Sequence, residues 1–287
     1  MKNRPSLTAS LVALARGVAS RTSTMKDAPT DPFARDLLPL PFALLHRAIE
    51  ATATRVPILA TAWNPLFFGL IDHMALRTAL IDDALREAIA LGAEQLVIMG
   101  AGLDARAYRM PELRTLTTFE VDHPATQTYK LEKLGERTKR TEKVHFVAVD
   151  FEHGSIDDSL AAAGHDPSRK TFWVWEGVTM YLHLAATRAT LAAMAARSSP
   201  GSRVVITYLT PESTLIPAHI TAGDVVLRVI GEPLRGRLSV SDMRDALAES
   251  GFDVVRDTSA ADWAERYGDG PLRTLHIPSR LVIAERR

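Results

Sequence analysis

The stretch Gln95-Leu96-Val97-Ile98-Met99-Gly100-Ala101-Gly102-Leu103-Asp104-Ala105-Arg106 runs from a short apolar segment into a Gly-x-Gly turn and then an acidic residue. An apolar run of this kind suits a buried strand, and a glycine turn at its end lets the backbone approach a ligand, because no β-carbon stands between them. That reads as a nucleotide-type cofactor site. The pattern departs from the dinucleotide fingerprint: Leu103, Asp104 and Ala105 stand where its third glycine would seat the helix, and a carboxylate there serves a pyrophosphate poorly. The same turn also closes strand-to-helix junctions that bind nothing, so the residues downstream carry the weight.

About twenty residues on, at the spacing of a ribose-binding acid in a strand-helix-strand unit, Thr117-Thr118-Phe119-Glu120-Val121-Asp122 ends a second strand in carboxylates. A ribose diol donates two hydrogen bonds, and one carboxylate accepts both. Val144-His145-Phe146-Val147-Ala148-Val149 reads as a third strand, followed by Asp150 and Phe151 where an adenine amino group and ring face could be held. A fourth, Thr171-Phe172-Trp173-Val174-Trp175, runs into Glu176-Gly177-Val178-Thr179-Met180-Tyr181-Leu182. All these strand ends would point to one rim of a parallel sheet, the rim on which such sheets bind ligands.

Gly-Ala-Gly-Leu-Asp-Ala-Arg-Ala-Tyr-Arg at 100–109, Glu-Val-Asp-His-Pro at 120–124 and Trp-Glu-Gly-Val-Thr-Met-Tyr-Leu at 175–182 resemble motifs of the leucine carboxyl methyltransferase family. Its members are class I S-adenosylmethionine-dependent methyltransferases, and the chain looks closest to the bacterial polyketide O-methyltransferase-like branch. The resemblance extends from about Thr8 to the C-terminus and is firm over 77–182. It implies a doubly wound, Rossmann-like α/β sheet of seven strands with the last antiparallel, S-adenosyl-L-methionine as cofactor and S-adenosyl-L-homocysteine as product. It further implies that Arg77 binds the donor's carboxylate, Gly100 supports its methionine part, Asp122 binds the ribose, Asp150 and Phe151 flank the adenine, and Glu176 faces the α-ammonium or the sulfonium.

The residues taken alone leave alternatives. Arg77 could pair with Asp82 or Asp83 as a solvated helix residue, and Arg16 is either a surface arginine or a second cation for the same carboxylate. Asp122 could cap the helix opening at Pro124, a role compatible with ribose binding. Glu120, on the other side of its strand, reads as structural, and Asp104, Arg106 and Arg109 as a supporting set in which the arginines pair with Asp104 or Glu112. Tyr108, Trp175 and Tyr181 could place π faces near a sulfonium, although aromatics at such positions are usually core. Methyl transfer is an in-line displacement that needs alignment and a dry pocket, with no protein nucleophile. A carboxylate acceptor needs no base at neutral pH, whereas a phenol or enol profits from one. Of His123, His183 and His219, His183 is the first candidate base, since it directly follows the fourth-strand motif.

Thirty-four basic and thirty-four acidic side chains cancel, which removes the overall field that would recruit nucleic acid or an anionic membrane. The absence of cysteine excludes disulfides and thiolate metal sites and is compatible with a reducing, cytoplasmic compartment. The nine histidines form no paired ligand spacing, so no metal is expected. Lys2 and Arg4 precede Leu7–Val18, but Thr8, Ser10 and Arg16 interrupt that run, which reads as an amphipathic helix rather than a signal peptide. Ile58–Leu76 is apolar yet carries Asn64, Pro65, Asp72 and His73, as suits a core or pocket-lining segment and not a membrane span.

The expected organisation is a helical cap over 1–90, with a loop-rich joint from Thr24 to Pro41 and a closing helix in which Leu76, Leu80, Ala84, Leu85 and Ile89 share a face. A methyltransferase core over 91–287 follows, with helices near 125–138, 184–197 and 239–250, strands at 203–208, 252–256 and 280–284, and a substrate lid at about 209–238. The expected function is O-methylation of a carboxylate, phenol or enol on a small metabolite, which is then the chain's partner; a homo-oligomer is left open. The alternatives are methylation of a protein C-terminal carboxylate and, in a different class, a non-catalytic or regulatory S-adenosylmethionine-binding protein. A nicotinamide oxidoreductase is disfavoured by the missing third glycine.

Overall fold

A computed structural model of the chain describes residues 5–136, 143–150, 155–211, 233–268 and 278–287. Seven strands form one sheet: β1 (Gln95–Met99), β2 (Thr117–Asp122), β3 (Val144–Ala148), β4 (Thr171–Trp175), β5 (Arg203–Leu209), β6 (Phe252–Ser259) and β7 (Ser279–Arg286). Their spatial order is β3-β2-β1-β4-β5-β7-β6, with β7 antiparallel to both neighbours and β1 to β5 parallel. β1 and β4 are buried along their whole length, which is why their sequences read as unbroken apolar runs. The winding direction reverses between β1 and β4, and the crevice beyond their C-terminal ends is where an open α/β sheet takes its ligand.

The helices are α1 (Leu7–Thr22), α2 (Ala34–Leu37), α3 (Leu40–Arg55), α4 (Trp63–Leu66), α5 (Leu70–Ala90), α6 (Arg106–Arg109), α7 (Pro124–Leu134), α8 (Ile156–Ala162), α9 (Leu184–Ala196), α10 (Val240–Glu249) and α11 (Ala260–Tyr267). α5 buries the expected Leu76, Leu80, Ala84 and Leu85 but also Asp72, His73, Arg77 and Asp82, because α1 and α11 pack on faces that an amphipathic helix leaves to solvent. Its buried Asp72 accepts hydrogen bonds from Ser23 Oγ, Thr24 N, Thr24 Oγ1 and Asn64 Nδ2, tying the start of α5 to the end of α1. A buried carboxylate is tolerated when its lone pairs are filled in this way.

Three expectations need correction. Ile58–Leu76 is not one core segment: Ile58, Leu59, Leu66 and Phe68 are exposed, whereas Ala60 is buried, Trp63, Phe67 and Leu70 pack partly buried on the core, and the continuous burial starts at Ile71. His123, not Asp122, caps α7, its Nδ1 accepting from Ala125 N at 3.2 Å, since Pro124 takes the first helical position and leaves the cap to the residue before it. α11 is additional; Ser259 and Asp262 form a capping box at its start, a signal present in the sequence as Ser-x-x-Asp. Among the described residues no helix is long and apolar enough to cross a membrane.

Most of the expected lid, 212–232, lies outside the described residues, but its two ends do not. Arg235 N and Gly236 N donate to Met180 O at 2.9 and 3.0 Å, and Leu238 N donates to Leu209 O at 2.9 Å. A β-carbon on Gly236 would collide with the carbonyl oxygens of Thr179 and Leu182. Gly236→Ala therefore forces the turn after β4 to move. The expected cost is about 1–3 kcal/mol, as for overpacking a core, read as a lower urea midpoint at unchanged slope, with a raised acceptor KM because Met180 and Tyr181 line the cavity described next.

Candidate active site

A cavity of about 290 Å³ opens at the β1/β4 reversal, floored by the Gly100–Asp104 turn and walled by Arg77 of α5, Asp122 of β2, Glu176 after β4, and Ser6, Ala9 and Val12 along α1. Gly100 has φ +66°, and a β-carbon there would lie 2.7 Å from Val178 Cγ2, so both the backbone conformation and the close approach require glycine. The turn is fastened to β2 by Asp122, which accepts from Gly102 N through Oδ2 and from His123 N through Oδ1 at 2.6 Å. Burial pushes the Asp122 carboxyl above its ordinary value, with those two N–H donors opposing. Each of its oxygens retains a second lone pair for a hydroxyl donor.

Arg77 does not pair with Asp82 or Asp83. It reaches across to Glu176, with Nε and Nη2 at 2.8 and 2.7 Å from Oε1. Arg106 Nη1 grips the other oxygen, Oε2, at 2.8 Å. Burial alone would push the Glu176 carboxyl up, but the guanidinium groups of Arg106, Arg77 and Arg16 outweigh it and hold the group well below the usual carboxylate range. Arg16 lies buried on α1, Nε bonded to Asp31 at 2.5 Å and Nη2 donating to Leu103 O at 2.6 Å, and it lines the cavity. Asp82 instead receives Arg106 Nε and both terminal nitrogens of Arg109, so Arg109 pairs there and not with Asp104 or Glu112. Glu120 is buried against Lys130 Nζ at 2.6 Å, away from the cavity, as its side of the strand implied.

Arg16, Arg77, Gly100, Asp122 and Glu176 are thus brought together around one space. Asp150 sits exposed at the end of β3 and is not among the cavity-lining residues; Phe151 lies outside the described residues. His183 is exposed at the N-cap of α9 and makes no capping bond, so among the described residues the base expected there does not face the cavity. Trp175 is core, Tyr108 packs on Phe33, and Tyr181 lines the cavity. Two features were not anticipated: the Arg106–Glu176 contact, for which spacing offers no signal, and the α1 wall of Ser6, Ala9 and Val12, legible only as i, i+3, i+6 small residues on one helix face.

A larger cleft, about 680 Å³, lies between residues 25–30, the second half of α5 and the end of α11. Among the described residues it includes no strand end, and most of its charged side chains pair with one another, with Arg86 on Asp83 and Glu112 and Arg109 on Asp82, while Tyr267 bonds to Asp83. Size does not make it the site. The smaller cavity joins a glycine turn to opposed cationic and anionic groups, Arg77 and Arg16 against Glu176, a set complementary in charge to a zwitterionic amino-acid group, beside the Asp122 carboxylate with lone pairs open to hydroxyl donors. These residues fit S-adenosylmethionine.

The model of the leucine carboxyl methyltransferase family matches residues 9–195. A "Putative S-adenosyl-L-methionine-dependent methyltransferase" of Mycolicibacterium paratuberculosis is 34% identical over 200 residues, spanning 69% of this chain and 62% of that protein. Another protein of that name from Mycobacterium sp. strain KMS is 35% identical over 286 residues, spanning 96% of this chain and 86% of the relative. The crystal structure of a "putative methyltransferase" from Thermobifida fusca YX superposes with a TM-score of 0.60 over 99% of this chain and 96% of that one; at 16% identity this shows the fold. By its family model and by a relative matched over 96% of this chain, the chain belongs to the leucine carboxyl methyltransferase family of S-adenosylmethionine-dependent methyltransferases.

Proposed function

We propose that this chain transfers a methyl group from S-adenosylmethionine to an oxygen of a small acceptor, with a carboxylate as the favoured acceptor. The observation that carries the reading is the single cavity on which Arg77, Glu176, Asp122 and the Gly100 turn converge. When bound, the donor supplies an electrophilic methyl carbon on a sulfonium. The chain's own residues bind and orient: Arg77 and Glu176 would hold the two charges of the tail, Asp122 the ribose, and the α1 wall excludes water. Alignment and desolvation of this kind are what an in-line displacement needs from a protein.

Two features support the acceptor class. The wall around the remaining space is built of Ser6, Thr8, Ala9, Val12, Val178, Met180 and Tyr181, small or apolar side chains suited to a compact acceptor. No histidine lines the cavity among the described residues, and a carboxylate, ionised at neutral pH, needs no base. A cytoplasmic setting goes with this reading, supported by the cysteine-free composition.

Asp122→Asn removes the charged acceptor of the ribose hydroxyls while keeping shape. Loss of a charge-assisted bond of about 1.5–3 kcal/mol should weaken S-adenosylhomocysteine in calorimetric titration by roughly ten- to a hundredfold. Unchanged affinity would remove the ribose assignment. Incubation with radiolabelled donor and panels of small acids, phenols and peptides with free C-termini then decides the acceptor: base-labile label on a small acid is expected, and label on peptides alone, or on nothing despite tight donor binding, rejects the reading.

A further inference from the structure

Arg106 is the most heavily committed buried side chain beside the cavity, although it is not among the residues that line it. Its Nε donates to Asp82 Oδ1 on α5 at 2.9 Å, and its Nη1 donates both to Asp104 Oδ2 in the glycine turn and to Glu176 Oε2 after β4 at 2.8 Å. Three segments far apart in the chain are joined by one planar group. We propose that Arg106 is a positioning residue for methyl transfer: it grips Oε2 of Glu176 and keeps that carboxylate turned to the cavity, where it receives the α-ammonium group of the donor. This rests on the reading that the cavity takes S-adenosylmethionine.

The geometry of Glu176 carries the argument. Its two oxygens are divided between two guanidinium groups, Oε1 on Arg77 and Oε2 on Arg106. Arg77 lines the cavity and Arg106 does not. A ligand carboxylate that draws on Arg77 therefore leaves Glu176 held by Arg106 alone, a group that lies outside the cavity lining. Held in that way, the carboxylate stays in place while its free lone pairs accept from the ammonium. Stability is a weak reason for such a residue. Buried ion pairs are often matched or bettered by apolar groups, and among the described residues Arg106 Nη2 is buried with no hydrogen-bond partner, an uncompensated donor that an apolar side chain would not carry. The fork is what a lysine lacks, since its single ammonium is a point charge unable to aim at Asp82 and Glu176 in one plane.

The test compares two ligands that share a nucleoside and a thioether. S-adenosylhomocysteine has the amino-acid tail; 5′-methylthioadenosine does not. In calorimetric titration of the full chain, Arg106→Lys should weaken S-adenosylhomocysteine at least tenfold and change 5′-methylthioadenosine less than twofold. A general loosening of the glycine turn would weaken both, because Gly102 N is bonded to Asp122, the ribose-binding carboxylate of the proposed function, so equal losses overturn the proposal, as does the absence of any loss. If Arg106→Lys does not fold, Asp82→Asn takes the charge off the anchor at Nε and alters no residue that lines the cavity. A smaller split in the same direction is then expected, and no split overturns the proposal. Wild-type protein that binds neither compound overturns the donor reading itself, and with it the role of Arg106.

Discussion

Glu176→Gln should cost the fold about 3–5 kcal/mol, the range for removing one partner of a buried ion pair, and should also abolish measurable methyl transfer. The substitution keeps the shape of the side chain and deletes only its charge. Arg77 then has no carboxylate on it at all, and Arg106 keeps Asp82 and Asp104 but loses its contact at the cavity. The side chain of Arg77 is only 7% exposed, so water compensates poorly for the charge it loses. Two effects on donor affinity compete. An unneutralised Arg77 attracts the ligand carboxylate more strongly, while the α-ammonium loses a charge-assisted acceptor of about 1.5–3 kcal/mol and meets two guanidinium groups instead. The second effect should win, because it adds repulsion to a lost bond. Chemical denaturation measures the first part and titration with S-adenosylhomocysteine the second. Wild-type stability in the variant would mean that Arg77 finds another partner, and wild-type affinity would mean that Glu176 does not face the ammonium.

The strands were legible in the sequence for a physical reason. β1 and β4 are buried on both faces, so their sequences are apolar without alternation, and glycine or charged residues mark the points where burial ends. The site residues on strand ends, Gly100, Asp122 and Glu176, follow directly from that boundary. What was illegible depends on side chains crossing between elements. Arg77 and Asp82 are neighbours on α5, and helical spacing suggests a local pair; the fold instead sends Arg77 to Glu176 and brings Arg106 and Arg109 to Asp82. His183 illustrates the opposite error. It adjoins the fourth-strand motif in sequence, but the chain turns outward at Leu182 to start α9, and one residue is enough to carry the side chain to the surface. Phe151 and residues 212–232, where the sequence suggests a lid, lie outside the described residues.

Acid should destabilise the protein well before its carboxylates are protonated, and His73 should be the main cause. The ring is wholly buried on α5, packed 5.5 Å from the Trp263 ring, and neither nitrogen has a hydrogen-bond partner among the described residues. Burial first, and the nearby Arg77 guanidinium second, lower its pKa from 6.5 to about 3. His165 is lowered to about 4, by burial and then by Arg197, whose Nε donates to its Nδ1 at 3.2 Å. A histidine lowered in the folded state gives stability that is fully present above pH 6.5, where neither state is protonated. As the pH falls below that value the unfolded chain takes up a proton that the folded chain refuses, and stability is lost at about 1.4 kcal/mol per pH unit per histidine, down to the folded pKa. For His73 the whole window amounts to roughly 4–5 kcal/mol. Glu176 and Asp104, both held below the ordinary carboxylate range, add their losses only at more acidic pH, while Glu120 and Asp122, both raised, act in the opposite direction. Between pH 6.5 and pH 5 the lowered carboxyls contribute nothing, and whatever the raised ones add is common to the wild type and a variant at His73. His73→Phe keeps an aromatic ring against Trp263 and removes the titration, so urea denaturation of the two proteins across that range should give lines that diverge, the wild type falling by about 1.4 kcal/mol per unit more than the variant. Parallel lines would mean that the ring finds water or a partner when protonated, and that its burial is not as complete as the packing around α5 requires.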